Sequence, residues 1–289
     1  MERIRTPEAM RAWADARRAG GARIGLVPTM GYLHAGHVSL VRVAREAGSE
    51  AVAATIFVNP MQFGPGEDFE KYPRDEARDL GMLEAAGVDA VYLPGAGEMY
   101  PEGHRTFVEV TGVSQGLCGA ARPGHFRGVA TVVAKLFLAS KPHVAVFGKK
   151  DYQQLAVIRA MNRDLDFGIE IVGAPIVREG DGLAMSSRNV YLSGEDRIAA
   201  RCLSRGLFLA KELFGKGERD AGTLVGASRR EIETEPRVKM EYAEGRDPDT
   251  LAPLTGRVDA VTILVAAKVG LTRLIDNITL GKESGGDAS

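Results

Sequence analysis

Short apolar runs alternate with amphipathic stretches through the first half of the chain, and this alternation leaves few folds open. The run at residues 51–58 is unbroken and rich in β-branched residues, which is typical of a strand buried on both faces. Further short runs at residues 24–27, 90–93, 144–147 and 169–172 are separated by stretches with helical spacing. Repeated β-α-β units of this kind predict an α/β fold with a parallel sheet covered by helices.

The pattern changes after about Val177, where the regular alternation ends. Two stretches there have helical spacing and three have the character of strands: residues 199–214 and 222–235, then 239–243, 260–266 and 272–275. This part of the chain is predicted to form a smaller α+β unit. The polar tail at residues 281–289 is predicted to be disordered.

Composition excludes several classes of protein. The net charge of -1, with Lys and Arg spread along 289 residues, argues against nucleic acid or an anionic membrane as the main partner. No apolar run approaches the roughly 20 residues of a membrane span. The two cysteines, Cys118 and Cys202, lack metal or redox spacing, which favours free thiols in a reducing compartment. We therefore expect a cytoplasmic protein.

The densest polar segment is PTMGYLHAGH at residues 28–37, directly after a predicted strand. It contains HxGH at the entry to a helix, and i,i+3 spacing places His34 and His37 on one face of the first turn. Gly36 lets a nucleotide approach the backbone, and the helix N-terminus offers N–H groups to a phosphate. Capping or surface histidines, or a metal site, are the alternatives. Two of only five histidines within one tetrapeptide favour a nucleotide site.

Two further segments have the chemistry of phosphate binding. Met185-Ser-Ser-Arg188 offers two hydroxyls and a guanidinium, which suit a pyrophosphate leaving group, although alone it is more typical of a capping loop. In FGKKDYQQ, at residues 147–154, a lysine at a strand end can reach a phosphate, but a solvated turn is an equal alternative. Side chains alternate along a strand, so if Lys150 points to phosphate, Lys149 is predicted to point away.

Amide side chains follow the strand at residues 51–58. Asn59 and Gln62 can bind hydroxyl and carboxylate groups of a small substrate, whereas Met61 and Phe63 are more simply core or pocket wall. The chain has no GxxxxGK[ST], no GxGxxG after a strand, no HExxH and no GxSxG. These absences argue against the usual ATPase, dehydrogenase, metalloprotease and hydrolase classes.

Six motifs together resemble the pantoate–β-alanine ligase family within the HxGH nucleotidyltransferase superfamily: PTMGYLHAGH, IFVNPMQFG, YPRD, RPGHFRGVATVV, FGKKDYQQL and VREGDGLAMSSRNVYL. The match covers the first two-thirds of the chain, with weaker agreement beyond. The resemblance implies a Rossmann-like domain over residues 1–177 that binds ATP and pantoate, with a smaller C-terminal lid over 178–289. It also implies that pantoate is activated as an acyl-adenylate, with release of pyrophosphate, before β-alanine attacks and AMP leaves.

The resemblance also implies roles for individual residues. The ATP-binding residues would be Met30, Gly31, Tyr32, Leu33, His34, Ala35, Gly36, His37, Gly148, Lys149, Lys150, Asp151, Val177, Met185, Ser186, Ser187 and Arg188. His37, His34 and Lys150 would be catalytic, while Gln62 and Gln154 would bind pantoate, Gln62 also lying near β-alanine. Mg²⁺ would accompany ATP with no residue assigned as its ligand, and the protein would be a homodimer.

Some points stay open after the resemblance. Arg122 and His125 lie in a matching loop with no clear role, and Lys149 stands where the family usually has Glu. Another nucleotidyltransferase that keeps the nucleotidyl group on its product is the alternative enzyme. A non-catalytic nucleotide sensor is the alternative of a different class, but the intact HxGH and MSSR motifs argue against it.

Overall fold

A six-stranded parallel sheet occupies the first part of the chain in the computed structural model, which describes residues 1–281. Its strands are β1 (Glu2–Ile4), β2 (Ile24–Thr29), β3 (Ala51–Ile56), β4 (Ala90–Tyr92), β5 (Val144–Gly148) and β6 (Glu170–Ala174). They lie in the order β1-β4-β3-β2-β5-β6, and each neighbouring pair is parallel. The helices in the same part of the chain are α1 (Pro7–Ala19), α2 (Ala35–Glu46), α3 (Glu76–Ala85), α4 (Ala96–Met99), α5 (Leu117–Ala121), α6 (His125–Ser140) and α7 (Tyr152–Asp164). The predicted α/β fold is confirmed.

The central strands of this sheet are buried, as their apolar composition predicts. In β3, which lies between β4 and β2, Val52 and Ala54 are fully buried and pack in one cluster with Val27 of β2 and Val146 of β5. A strand covered by helices on both faces must be apolar on both, which explains why the run shows no alternation. The apolar run thus forms the centre of the core.

The second strand extends two residues beyond the run at residues 24–27 that predicted it. β2 continues through Pro28 to Thr29, and Pro28 is paired with Thr55 of β3. On its other side β2 pairs with β5 only at Gly25 and Leu26. An amide N–H at Pro28 would therefore lie beyond the ladder with β5, so the proline breaks no hydrogen bond there.

Helix α6 passes unusually close to the turn after β3. A Cβ atom on Gly128 of α6 would lie 2.2 Å from the main-chain oxygen of Met61, so only glycine fits at this position. Met61 belongs to the short 3₁₀ helix Pro60–Gln62 that follows β3. This close contact fixes the position of Gln62 relative to the sheet.

The rest of the chain forms an antiparallel sheet covered by helices. Its helices and strands are α8 (Gly194–Ala199), α9 (Cys202–Gly215), α10 (Ala221–Glu233), β7 (Val238–Arg246), β8 (Val261–Val269) and β9 (Thr272–Leu280). The strands lie in the order β7-β8-β9, and their core contains Leu203, Leu207, Leu224, Ile263 and Val265. The predicted smaller α+β unit is confirmed, although each strand is longer than its predicted run because polar residues also join the ladders.

The chain divides into two units. The first comprises Met1–Ser114, Arg122–Lys149 and Val157–Pro175, and the second comprises Gln115–Ala121, Lys150–Ala156 and the chain from Ile176 onward. Within the described part of the chain, no helix has the length and apolar character needed to cross a membrane. The predicted disorder of residues 281–289 concerns positions that, apart from Gly281, lie outside the described residues.

Candidate active site

The two histidines of HxGH form the N-terminal cap of α2, which begins at Ala35. His34 is the N-cap residue, and its Nδ1 accepts a hydrogen bond from the Gly36 N–H at 3.1 Å. In return, the His37 Nδ1 accepts from the His34 N–H at 3.3 Å. The ring centroids lie 4.0 Å apart, as i,i+3 spacing predicts. The capping role and the nucleotide role are thus compatible, because each cap bond uses only one nitrogen of its ring.

These bonds determine which nitrogen carries the ring proton. A neutral imidazole has one N–H and one acceptor nitrogen, and Nδ1 is the acceptor in both His34 and His37. The proton of each ring therefore lies on Nε2, which becomes a hydrogen-bond donor. The helix N-terminus adds a partial positive charge beside the two donors. This arrangement suits a phosphate or another anion.

A buried carboxylate holds the loop before the histidines. Asp79 of α3 is 1% exposed, and its two oxygens accept hydrogen bonds from the Tyr32 N–H at 2.6 Å and the Leu33 N–H at 2.7 Å. Gly31 and Tyr32 have left-handed backbones, with φ of 86° and 49°. Tyr32 is strained in this region, so the Asp79 bonds offset the cost of the turn. Burial raises the pKa of the Asp79 carboxyl, against the opposing effect of the two amides.

We expect Asp79→Asn to lower the free energy of unfolding by about 1–3 kcal/mol, because the amide has one acceptor oxygen for two N–H groups. Urea denaturation measures this change. Asp75→Asn is the matched control on the same helix, since Asp75 caps the N-terminus of α3 and Asn caps equally well. If Asp79→Asn lowers the free energy of unfolding no more than this control does, Asp79 does not stabilise the loop before the histidines.

Gln62 lies in a set of buried polar groups behind the HxGH loop. Its Oε1 accepts from Asn59 Nδ2 at 3.0 Å, and its Nε2 donates to the Met30 sulfur at 3.1 Å. Asn59 also donates to the Gly128 carbonyl at 3.1 Å and accepts from the Tyr100 hydroxyl at 2.7 Å. The amide of Gln62 is therefore oriented with Nε2 toward a thioether, which is a weak acceptor. A ligand oxygen would be a better partner for that N–H.

Arg122 and His125 hold the main chain of Gln62. Arg122 Nη1 lies 3.1 Å from His125 Nε2, and arginine can only donate, so this nitrogen of the ring is the acceptor. The His125 proton therefore lies on Nδ1 and is donated to the Gln62 carbonyl at 2.9 Å. Arg122 Nη2 donates to the same carbonyl at 3.1 Å. Their observed contacts fix the position of Gln62.

Glu67 completes this arrangement by pairing with Arg122. The two hydrogen bonds are bidentate, with Nε to Oε1 at 2.7 Å and Nη2 to Oε2 at 2.6 Å. Burial alone would raise the pKa of Glu67, but the hydrogen bond and charge of Arg122 outweigh burial and lower it. The carboxylate therefore stays ionised and neutralises the arginine near Gln62.

Lys149 and Lys150 do not lie at a strand end, which corrects the premise for their orientation. β5 ends at Gly148, and Lys149–Asp151 forms a turn of 3₁₀ helix. Successive side chains in a 3₁₀ helix are rotated by about 120° rather than alternating by about 180°. The two lysines therefore diverge less than the strand argument predicts.

The segment Met185-Ser-Ser-Arg188 follows a short hairpin in the second unit. Arg178 and Ala184 form an antiparallel bridge, and the Met185 N–H donates to the Val177 carbonyl at 3.0 Å. Ser186 then caps a 3₁₀ helix, Ser187–Tyr191, by accepting from the Arg188 N–H at 3.3 Å. The capping alternative for MSSR is thus correct for Ser186.

The predicted site residues fall in both units. Residues 30–37, Gln62, Gly148 and Lys149 belong to the first unit, where His34, His37 and Gln62 each have a defined polar environment. Lys150, Asp151, Gln154, Val177 and residues 185–188 belong to the second. No group of three or more His, Cys, Asp or Glu that could hold a metal occurs among residues 1–281.

Several residues that support the site are not predicted by the sequence pattern. Asp79 lies four residues before the buried Leu83 of α3, so a charge on the apolar stripe was the signal that could have revealed it. Gln153, beside the predicted Gln154, is 3% exposed and accepts from the Cys118 N–H at 3.0 Å. Nothing in the local sequence indicates this contact, because the partners are 35 residues apart.

Comparison with known proteins identifies the family. The family model for pantoate-beta-alanine ligase matches residues 2–279. Pantothenate synthetase from Geobacter sulfurreducens is 52% identical over 274 residues, covering 95% of this chain and 96% of that protein. The crystal structure of pantothenate synthetase from Thermus thermophilus has a TM-score of 0.91 at 47% identity, covering 96% of this chain and 99% of that one.

A second solved structure carries ligands. Pantoate-beta-alanine ligase from Francisella tularensis, complexed with beta-gamma ATP and beta-alanine, has a TM-score of 0.78 at 30% identity, covering 96% of this chain and 97% of that one. The resemblance inferred from the motifs is confirmed by these matches along nearly the whole chain. The chain therefore belongs to the pantoate–β-alanine ligase family.

Proposed function

We propose that this chain condenses pantoate with β-alanine through a pantoyl-adenylate. A pantoate carboxylate oxygen attacks the α-phosphorus of ATP, the bond to the β-phosphate oxygen breaks, and pyrophosphate leaves. The amine of β-alanine then attacks the acyl carbon, the bond from that carbon to the phosphate oxygen breaks and AMP leaves, while the amine loses a proton. The observation that carries the proposal is the cap of α2, which presents two Nε2–H donors at a helix N-terminus.

The proposal assigns ATP binding to residues of each unit. In the first unit, residues 30–37 and Gly148 with Lys149 bind the nucleotide, and His34 and His37 donate to phosphate oxygens. In the second unit, Lys150, Asp151, Val177 and residues 185–188 have the corresponding role. Little covalent chemistry is required of these groups, because alignment and stabilisation of phosphate charge supply most of the acceleration. His37 and Lys150 are the residues expected to matter most.

Pantoate is assigned to Gln62 and Gln154. The Gln62 N–H that contacts the Met30 sulfur can exchange that weak acceptor for a pantoate oxygen at little cost. The hydrogen bond from Asn59 keeps the Gln62 amide from rotating. The hydrogen bond from His125 to the Gln62 carbonyl keeps the backbone of Gln62 in place. The β-alanine amine is proposed to lie near the same glutamine.

The family resemblance supports three further parts of the proposal, and the two free cysteines support the fourth, a location in the cytoplasm. Mg²⁺ would enter with the ATP phosphates and neutralise their charge. Residues 178–289 would act as a lid on the domain formed by residues 1–177. The protein would be a homodimer, and it would work in the cytoplasm.

The adenylate mechanism predicts that ATP–pyrophosphate exchange occurs with pantoate alone, because the first half-reaction is complete before β-alanine takes part. Incorporation of labelled pyrophosphate into ATP measures this step. Exchange that requires β-alanine would contradict the mechanism. Release of AMP only when β-alanine is added would separate this enzyme from a transferase that keeps the nucleotidyl group on its product.

A further inference from the structure

Two adjacent polar residues of β9 are buried in the second unit. Asp276 is 2% exposed and Asn277 is 4% exposed. A buried carboxylate and a buried amide are costly unless each has hydrogen-bond partners. Asn277 is bonded to Lys150, and Asp276 is bonded to Arg178 in the hairpin that precedes Met185.

Asp276 holds the hairpin that precedes Met185. Arg178 donates to Asp276 twice, from Nη1 to Oδ2 at 2.6 Å and from Nη2 to Oδ1 at 3.0 Å. Arg178 Nη1 also donates to the Gly182 carbonyl at 3.0 Å, inside the hairpin. A bidentate pair of this kind fixes direction as well as distance. The hairpin is therefore fastened to β9 just before residues 185–188.

Asn277 holds the segment that carries Lys150. Its Nδ2 donates to the main-chain oxygen of Lys150 at 2.9 Å. Lys150 lies in the short 3₁₀ helix between β5 and α7, where few ladder hydrogen bonds are available. The amide of Asn277 thus gives this carbonyl a partner that is 127 residues away in the chain.

The two contacts are linked by the strand itself. Asp276 and Asn277 are consecutive, so their Cα atoms are about 3.8 Å apart and cannot move independently. β9 is paired with β8 along its whole length, from Thr272 to Leu280. A rigid strand therefore sets the position of Lys150 relative to the hairpin before Met185.

We infer that Asp276 and Asn277 are positioning residues that set the spacing between Lys150 and Met185-Ser-Ser-Arg188 for binding of the ATP phosphates. This inference rests on the proposed function of those two segments. Neither residue needs to touch the nucleotide. Charge stabilisation by preorganised groups depends on their spacing, so a small shift of the Lys150 backbone weakens binding of ATP.

The test is Asn277→Ala, studied by ATP–pyrophosphate exchange. Loss of one hydrogen bond to the Lys150 carbonyl is expected to raise KM for ATP about fivefold to tenfold. Loss of folded protein alone would lower kcat and leave KM unchanged, so the rise in KM separates positioning from stability. In the Lys150→Ala background the same substitution is expected to change KM by less than about twofold, because the group it positions is gone.

Thr279→Val serves as a control on β9, and Arg178→Lys tests the contact between Asp276 and the hairpin. Thr279→Val is the matched control on β9, since the Thr279 hydroxyl pairs with that of Thr262 at 2.9 Å, and its KM for ATP should stay within about twofold of wild type. Removing Asp276 would leave the half-buried Arg178 without its carboxylate and can unfold the protein. Arg178→Lys is therefore used for the hairpin, because it keeps the charge but not the bidentate geometry. It too should raise KM for ATP.

The outcomes are distinguishable. Wild-type protein without pantoate-dependent exchange would contradict the proposed function itself. Active wild type, with KM for ATP unchanged in both Asn277→Ala and Arg178→Lys, would overturn the inference alone. An equal effect of Asn277→Ala with and without Lys150 would also overturn it, because Asn277 would then act on another group.

Discussion

His37→Ala slows pantoate-dependent pyrophosphate exchange by about 10²-fold or more, which is the scale of losing one preorganised donor to developing charge. The Nε2–H of His37 is that donor, since its Nδ1 is occupied by the His34 amide. The substitution also removes one bond of the helix cap, which costs about 0.5–2 kcal/mol of stability. The fold should therefore survive, and thermal denaturation beside the exchange assay checks that it does.

Two variants distinguish the hydrogen-bond donor of His37, its Nε2–H, from the role of its Nδ1 in the helix cap. His37→Asn keeps an acceptor oxygen near the position of Nδ1 but has no group at Nε2, so we expect it to be nearly as slow as His37→Ala. His143→Ala is the matched control, because the His143 Nδ1 also accepts a backbone N–H, from Ile24 at 2.9 Å. Ile24 begins β2, at the opposite end from the HxGH loop, so exchange should be nearly normal. Near-normal exchange by His37→Ala would place the phosphate site elsewhere.

Lys150→Ala should reduce kcat/KM for ATP at least a hundredfold, since a direct phosphate ligand contributes about 2–4 kcal/mol of transition-state stabilisation. The carbonyl of Lys150 is held by Asn277, so its ammonium extends from a fixed backbone position. Steady-state kinetics with varied ATP measures the loss. Thermal denaturation of the variant shows whether the loss arises from unfolding instead.

Lys149→Glu is the comparison for that experiment, and it restores the residue usual in the family. A charge that does not contact phosphate contributes about 1 kcal/mol or less after screening by water and salt. The variant should therefore change kcat/KM for ATP by less than about tenfold. The 3₁₀ geometry makes this a demanding test, because the two lysines are about a third of a turn apart. Equal damage from both substitutions would mean that both bind phosphate.

Local patterns predicted most of the elements but not all their limits. The unbroken run in β3 and the β-α alternation predicted a parallel sheet, because burial on both faces requires apolar side chains at every position. The same reasoning was wrong at Pro28, where the strand continues. Proline is tolerated there because the ladder with β5 has already ended, so no hydrogen bond is lost. The argument that Lys149 and Lys150 alternate in direction was also wrong in its premise, because the chain has already left β5 at Lys149.

Spacing within short segments was enough to predict the fold class, the family and the residue types available for phosphate chemistry. The strand order and the partners of each polar group depend instead on contacts between segments that are distant in the chain. The bonds from Asp79 to Tyr32, from His125 to Gln62 and from Asn277 to Lys150 span 47, 63 and 127 residues. No local pattern encodes such pairs, since they form only after segments distant in the chain are brought side by side.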